Sequence, residues 1–265
     1  MKTRARASAP AKVILLGEHF VVHGGPAIVL AIDKRATVTA ESRTDKKIWL
    51  RSKTIRAYGY FLSGKFHTEG EEKEAQKRLK PIYAVARNLM DLSGKDLGVN
   101  IEIESSIPAA AGLGSSAAVA VATAAALNHL WQAGLSRDDI FQVAFDAEKI
   151  VHGTPSGIDP AISTYGGVIQ FIKGEKIKPL NIEVDLPLVI GDTMKERSTG
   201  EMVAHVNDLR RRYPSVIDNI IKAGGEIVAR SVEALEAGDL DVLGVMMNMN
   251  HALLCAIGVS NEPLE

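Results

Sequence analysis

The stretch Pro108-Ala-Ala-Ala-Gly-Leu-Gly-Ser-Ser-Ala-Ala118 decides how this chain is read. Glycines permit positive φ and close backbone approach, and the Ala-rich run from Ser115 to about Ala133 favours a helix whose small side chains let it pack closely on a sheet. A helix start offers unpaired N–H groups and the positive end of a dipole, so the stretch suits a phosphate. Two glycines alone more commonly mark an ordinary connection ahead of a core helix. The paired Ser115 and Ser116 shift that balance, because a hydroxyl at the helix start can ligate the Mg2+ that accompanies ATP.

Two better-known nucleotide motifs compete with this reading. Gly59 to Lys65 has Walker A spacing, but Phe66 stands where that loop needs Ser or Thr, so the match is taken as chance. Gly112 to Ala117 also fits the GxGxxG/A dinucleotide pattern, a weak signal alone. A dinucleotide fold needs those glycines directly after a strand and an acid at the end of the next strand. Here Ser105 to Ala111 intervene, and Asp138 and Asp139 open a helix.

Outward from the loop, residues 4–16 and 27–40 read as strands, 71–92 as a helix stopped by Gly94, and 99–104 as a half-buried strand. A helix capped by Ser136 runs to about Val151. Residues 167–172 and 186–190 read as strands, and 200–209, 214–237 and 239–255 as helices. This order predicts an α+β fold rather than a regular βαβ array, with a domain boundary near 170–190.

A second informative segment runs from Glu148 to Asp159, with Glu148 near a helix end and Asp159 in a Gly/Pro-rich loop. Two carboxylates in different surroundings allow one to hold metal and the other to meet substrate. Singly, Glu148 reads as a solvated helix residue and Asp159 as a turn residue. A third segment is Pro10-Ala-Lys12 ahead of a strand ending in Gly17-Glu-His19. A lysine at a strand start usually faces solvent, and a lone histidine is more often structural than catalytic.

Composition narrows the classes. The chain has 265 residues, 46% of them hydrophobic, and a formal net charge of -1, so bulk attraction to nucleic acid or an anionic membrane is not expected. The charge-free run from Ile107 to Ser136 is mostly Ala and Gly, too weakly lipophilic for a membrane span. A single Cys255 suits a reducing cytoplasm, and the seven histidines lack zinc-like spacing.

Together the three segments resemble the mevalonate kinase family, in particular its shorter archaeal-type members, within the GHMP small-molecule kinase superfamily. The P-x-K-V-I-L-x-G-E-H-x-V-V-H-G pattern appears as Pro10 to Gly24, the phosphate loop as Pro108 to Ala118, and G-x-P-S-G-x-D as Gly153 to Asp159. Glu196 to Thr199, E-R-S-T, is a fourth match. The resemblance implies a ribosomal protein S5 domain 2-like N-terminal domain, 1–180, and a ferredoxin-like C-terminal domain, 181–265.

By the same resemblance, Pro108, Ala109, Ala110, Ala111, Gly112, Leu113, Gly114, Ser115, Ser116 and Ala117 would wrap the ATP triphosphate. Ser116 and Glu148 would hold Mg2+, Asp159 would be the catalytic base with Lys12 beside it, and Glu18, His19, Ser156 and Thr199 would line the mevalonate or γ-phosphate region. The implied activity is ATP-dependent phosphorylation of mevalonate in the cytoplasm, with a homodimer as one assembly. The family's K-x-T-G-A-G-x-G-G loop has no counterpart here, and Gly258 to Glu265 resembles the part upstream of it, so a shortened or split polypeptide lacking a C-terminal segment is expected. Rival expectations are another acceptor, such as phosphomevalonate, homoserine or a sugar, a non-catalytic ligand-binding relative, and an NAD-linked oxidoreductase.

Overall fold

The computed structural model describes residues 3–108, 111–152, 155–193 and 199–264. The chain divides into two compact units, Met1–Lys12 with Ala31–Gly166, and Val13–Leu30 with Gly167–Glu265. Strands β1 (Arg4–Leu16) and β2 (Ala27–Ser42) pair with each other, and each gives residues to both units.

In the first unit, β3 (Ile48–Ser52), β4 (Ala57–Leu62), β5 (Lys65–His67) and β6 (Val99–Ser105) join β2 in the order β5-β4-β3-β6-β2. The β3–β6 pair is parallel and needs a crossover, which is made through β4, β5 and α1 (Glu72–Ser93). Period-2 burial orients the sheet. Val38, Ala40, Ile48, Leu50, Ile101 and Ile103 are buried against α1, α2 (Ser115–Trp131) and α3 (Arg137–His152). Ala118, Ala122, Ala124 and Ala126 of α2 are wholly buried, and side chains this small are what permit that closeness. Ser136 and Asp139 form a reciprocal cap at α3: the Ser136 hydroxyl accepts from the Asp139 N–H at 3.2 Å, and the Asp139 carboxylate accepts from the Ser136 N–H at 2.9 Å.

In the second unit, Ala27–Leu30 pairs antiparallel with β7 (Val168–Phe171), and β7 pairs with β8 (Lys178–Leu180). Leu15, Leu16, Ile28 and Leu180 pack with Val228, Val232 and Leu235 of α6 (Pro214–Ala237) and Leu243 of α7 (Leu240–Ala256). A smaller core joins Phe20 to Val206 of α5 (Thr199–Arg212), Ile217 and Ile257.

Three sequence expectations change. Residues 186–190 are not a strand: Leu186 and Leu188 pack on the core while Val189 is fully exposed, so the alternation is one of burial without a hydrogen-bonded partner strand. Pro187 lacks an N–H to offer a ladder. Asp159 lies in the first turn of a helix, α4 (Ile158–Tyr165), rather than in a loop. Pro160 signals a loop in the sequence, yet the N–H it lacks is among those a first helical turn leaves unpaired. The β3–β5 strands were also missed. They account for Gly59–Lys65, where β4 turns through Ser63 and Gly64, at φ 49° and 79°, straight into β5, with no helix start to hold a phosphate.

Helix α6 contains Gly224 and Gly225, although glycine weakens a helix interior. A Cβ on Gly224 would sit 2.4 Å from the ring of the fully buried Phe20, whereas one on Gly225 would meet only Pro26 at 3.5 Å. Gly224→Ala should therefore destabilise the protein by about 1–2 kcal/mol through overpacking. Gly225→Ala should be neutral or stabilise by up to about 1 kcal/mol. Urea denaturation of both variants distinguishes the two effects.

Candidate active site

In the first unit, Gly112 and Gly114 adopt φ 69° and 72°, and Gly114 is the left-handed N-cap of α2 with no side-chain cap closing that end. The N-terminus of a 17-residue helix is thus left to offer its amides. A Cβ at Gly114 would lie 2.9 Å from Lys12 Cγ and 3.4 Å from Asp159 Oδ2. Only glycine lets the turn approach these two side chains so closely. The backbone fixes the same approach, since the Lys12 N–H donates to the Leu113 carbonyl at 3.0 Å.

Lys12 Nζ lies 3.2 Å from Asp159 Oδ1, with side-chain exposures of 12% and 24%. Both ends of the pair are held. The Ser163 hydroxyl on α4 donates to the Pro10 carbonyl on β1 at 3.0 Å, tying the two elements together. Gly157, at φ 88°, caps α4, and a Cβ there would press on the Phe145 ring at 3.1 Å. The Ser156 hydroxyl accepts the Ile158 N–H at 3.4 Å, so this serine serves the turn that precedes Asp159.

Glu148 is not the solvated helix residue its position in the sequence suggested. Its Oε2 is buried without a hydrogen-bond partner. Burial first, then the neighbouring Asp159 charge, push its carboxyl from an ordinary 4.5 up to about 8, against the opposing pull of Lys12. The Lys12 charge is thus too little to offset burial and the Asp159 charge together. Ser115 is half-buried and Ser116 exposed in the first turn of α2. Among the described residues, no group of three or more His, Cys, Asp or Glu side chains could hold a metal unaided. The unpartnered Glu148 oxygen and the Ser116 hydroxyl are oxygen donors of the kind Mg2+ takes, one or two from protein with phosphate and water completing the shell. The residues present fit such an ion.

In the second unit, Gly17 ends β1 at φ 90°, where a Cβ would lie 2.3 Å from the Pro26 carbonyl oxygen. Glu18 follows, its carboxylate accepting from the Asn250 amide at 3.1 Å. His19 has φ 61° and ψ -46°, a positive-φ conformation unusual outside glycine. Burial, and secondarily His23, hold its imidazole below the usual 6.5, favouring the neutral ring at neutral pH. Sequence reasoning missed Ser163 and Asn250. For Asn250 a signal existed, an amide seven residues after Leu243 and four before Leu254, at apolar helical spacing.

Pro108 is exposed ahead of the loop, Ala111 is half-buried within it, and Ala117 is buried in α2. Ala109 and Ala110 lie outside the described residues, as do Gly153, Thr154 and Glu196 to Ser198, while Thr199 is described only as the start of α5.

The GHMP kinases N terminal domain family, a class of small-molecule kinases, matches residues 80–167, the span that carries the glycine turn, Glu148 and Asp159. The chain is 39% identical over 269 residues to the mevalonate kinase of Thermococcus sibiricus, covering 98% of this chain and 80% of that one. It is 38% identical over 268 residues to the mevalonate kinase of Aeropyrum pernix, covering 100% and 81%. The crystal structure of L. major mevalonate kinase in complex with R-mevalonate matches with a TM-score of 0.79 at 27% identity, over 99% of this chain and 79% of that one. The chain belongs to the mevalonate kinase family.

The Glu148 environment predicts a pH dependence of stability. In metal-free buffer the folded protein keeps the Glu148 proton up to about 8, while the unfolded chain releases it near 4.5. Wild-type stability should therefore fall relative to Glu148→Gln as pH rises through that window, by on the order of a few kcal/mol. Urea denaturation at about pH 5 and about pH 8.5 reads the difference; parallel behaviour of the two proteins would contradict the assignment.

Proposed function

We propose that this chain transfers the terminal phosphoryl group of ATP to the primary hydroxyl of mevalonate, giving 5-phosphomevalonate and ADP. The observation that carries the reading is the Lys12–Asp159 pair lying directly against Gly114 of the glycine-rich turn. An alcohol is a poor nucleophile at neutral pH. Asp159 accepts the hydroxyl proton as the oxygen bonds to the γ-phosphorus and the bond to the β-phosphate oxygen breaks, releasing ADP. Lys12 stabilises the negative charge developing on the attacking oxygen and on Asp159.

The triphosphate is wrapped, on this reading, by the loop from Pro108 to Ala117 and met by the amides opening α2. Glu148 and Ser116 would hold Mg2+, which would supply positive charge to offset that of the transferring phosphates. The unpartnered Glu148 oxygen supports that role, since a divalent cation reverses the penalty of keeping the carboxylate ionised. Glu18 and His19 bind the acceptor, with Ser156 and Thr199 as further contacts to mevalonate or the γ-phosphate. The division into a GHMP N-terminal domain at 1–180 and a C-terminal domain at 181–265, a cytoplasmic setting and a homodimeric assembly belong to the same reading.

No helix among the described residues is long and apolar enough to cross a membrane. Substrate choice is tested by offering mevalonate, phosphomevalonate, homoserine and galactose with MgATP; mevalonate should support by far the fastest ADP release. MgATP binding is read separately from turnover by calorimetry. Asp159→Asn should lower mevalonate-dependent ADP production by about 10²–10⁴-fold while leaving MgATP affinity within a few-fold. Near-wild-type turnover in that variant would remove Asp159 as the base.

A further inference from the structure

Asn250 occupies a position on α7 that its neighbours assign to an apolar side chain. Leu243, seven residues before it, and Leu254, four after it, are buried, and Asn250 itself is 3% exposed. Asparagine is a poor residue for a helix interior and costly to bury unless its amide is satisfied. Here both ends are satisfied: Oδ1 accepts the Gly17 N–H at 3.4 Å, and Nδ2 donates to Glu18 Oε2 at 3.1 Å. Only one amide orientation permits this pair of bonds, because a backbone N–H cannot accept and a carboxylate cannot donate.

We infer that Asn250 is a positioning residue that fixes the carboxylate of Glu18 for the acceptor. The inference rests on the reading of Glu18 as an acceptor-binding residue. A single side chain holds two consecutive features. It pins the left-handed turn at Gly17, where β1 ends, and it clamps one oxygen of the next residue's carboxylate. A side chain of similar shape but different hydrogen-bonding sense separates the two duties. Asn250→Asp keeps an acceptor for Gly17 but sets a second carboxylate against Glu18, whereas Asn250→Ala removes both bonds.

The test is equilibrium binding of mevalonate, and separately of MgATP, to the full chain by calorimetry. Asn250→Ala and Asn250→Asp should each weaken mevalonate binding by about tenfold, the scale of one hydrogen bond to a charged group, with MgATP affinity unchanged. In a Glu18→Gln background, itself weakened for mevalonate, changing Asn250 to Asp should have little further effect, because the two residues act as a unit. Wild-type mevalonate affinity in the Asn250 variants, an effect undiminished in the Glu18→Gln background, parallel loss of MgATP binding, or failure of both Asn250 variants to fold would each overturn the inference. A Glu18→Gln protein that binds mevalonate like the wild type would instead overturn the reading of Glu18 on which it rests.

Discussion

The first unit is organised around the absence of a side chain at residue 114. A Cβ there would clash with the Lys12 stem at 2.9 Å and touch Asp159 Oδ2 at 3.4 Å, and the φ of 72° is one that glycine adopts most readily. Two long-range ties accompany that approach, the Lys12 N–H to the Leu113 carbonyl and the Ser163 hydroxyl to the Pro10 carbonyl. A strand, a glycine turn and two helix starts thus converge on one ion pair. A methyl group at 114 would have to displace either the lysine stem or the turn.

Electrostatics explain why the arrangement suits phosphate chemistry rather than mere stability. A partly buried ion pair has little net worth once desolvation is counted, and burying a second carboxylate beside it is unfavourable. Glu148 stands in that unfavourable position, its carboxyl raised and one oxygen unpartnered. Strain of this kind concentrates at functional sites. A cation brought in with a nucleotide would relieve it, and the amides opening α2 would add a complementary attraction for the phosphates.

Much of this was legible in the sequence, for identifiable reasons. The glycine–serine loop and the Ala-rich helix carry their geometry in residue type, because positive φ and close packing need small side chains. The three motifs around Lys12, the loop and Asp159 could be recognised as a set, although nothing along the chain gives the contact between Gly114 and the pair. The β3–β5 strands were missed because charged and aromatic residues on their outer face obscure the period-2 pattern. Leu186 to Ile190 shows the converse: alternation reports burial, and a strand also needs a partner. Pro160 and its neighbouring glycines signal a loop at Asp159 more strongly than an eight-residue helix signals itself. Glu148 looked solvated because burial of a helix end is decided by tertiary packing. The second unit was less legible, since the roles of Gly224 and Asn250 are set by residues some two hundred positions away.

The central claim, that a metal-chelated triphosphate sits on the glycine turn against Glu148, is tested most directly by the metal dependence of ATP binding. ATP affinity of the wild type and of Glu148→Gln is measured by calorimetry with Mg2+ and with a chelator. The account predicts that Mg2+ tightens ATP binding to the wild type and that Glu148→Gln loses most of this gain while keeping the metal-free affinity. An equal gain from Mg2+ in both proteins would contradict it.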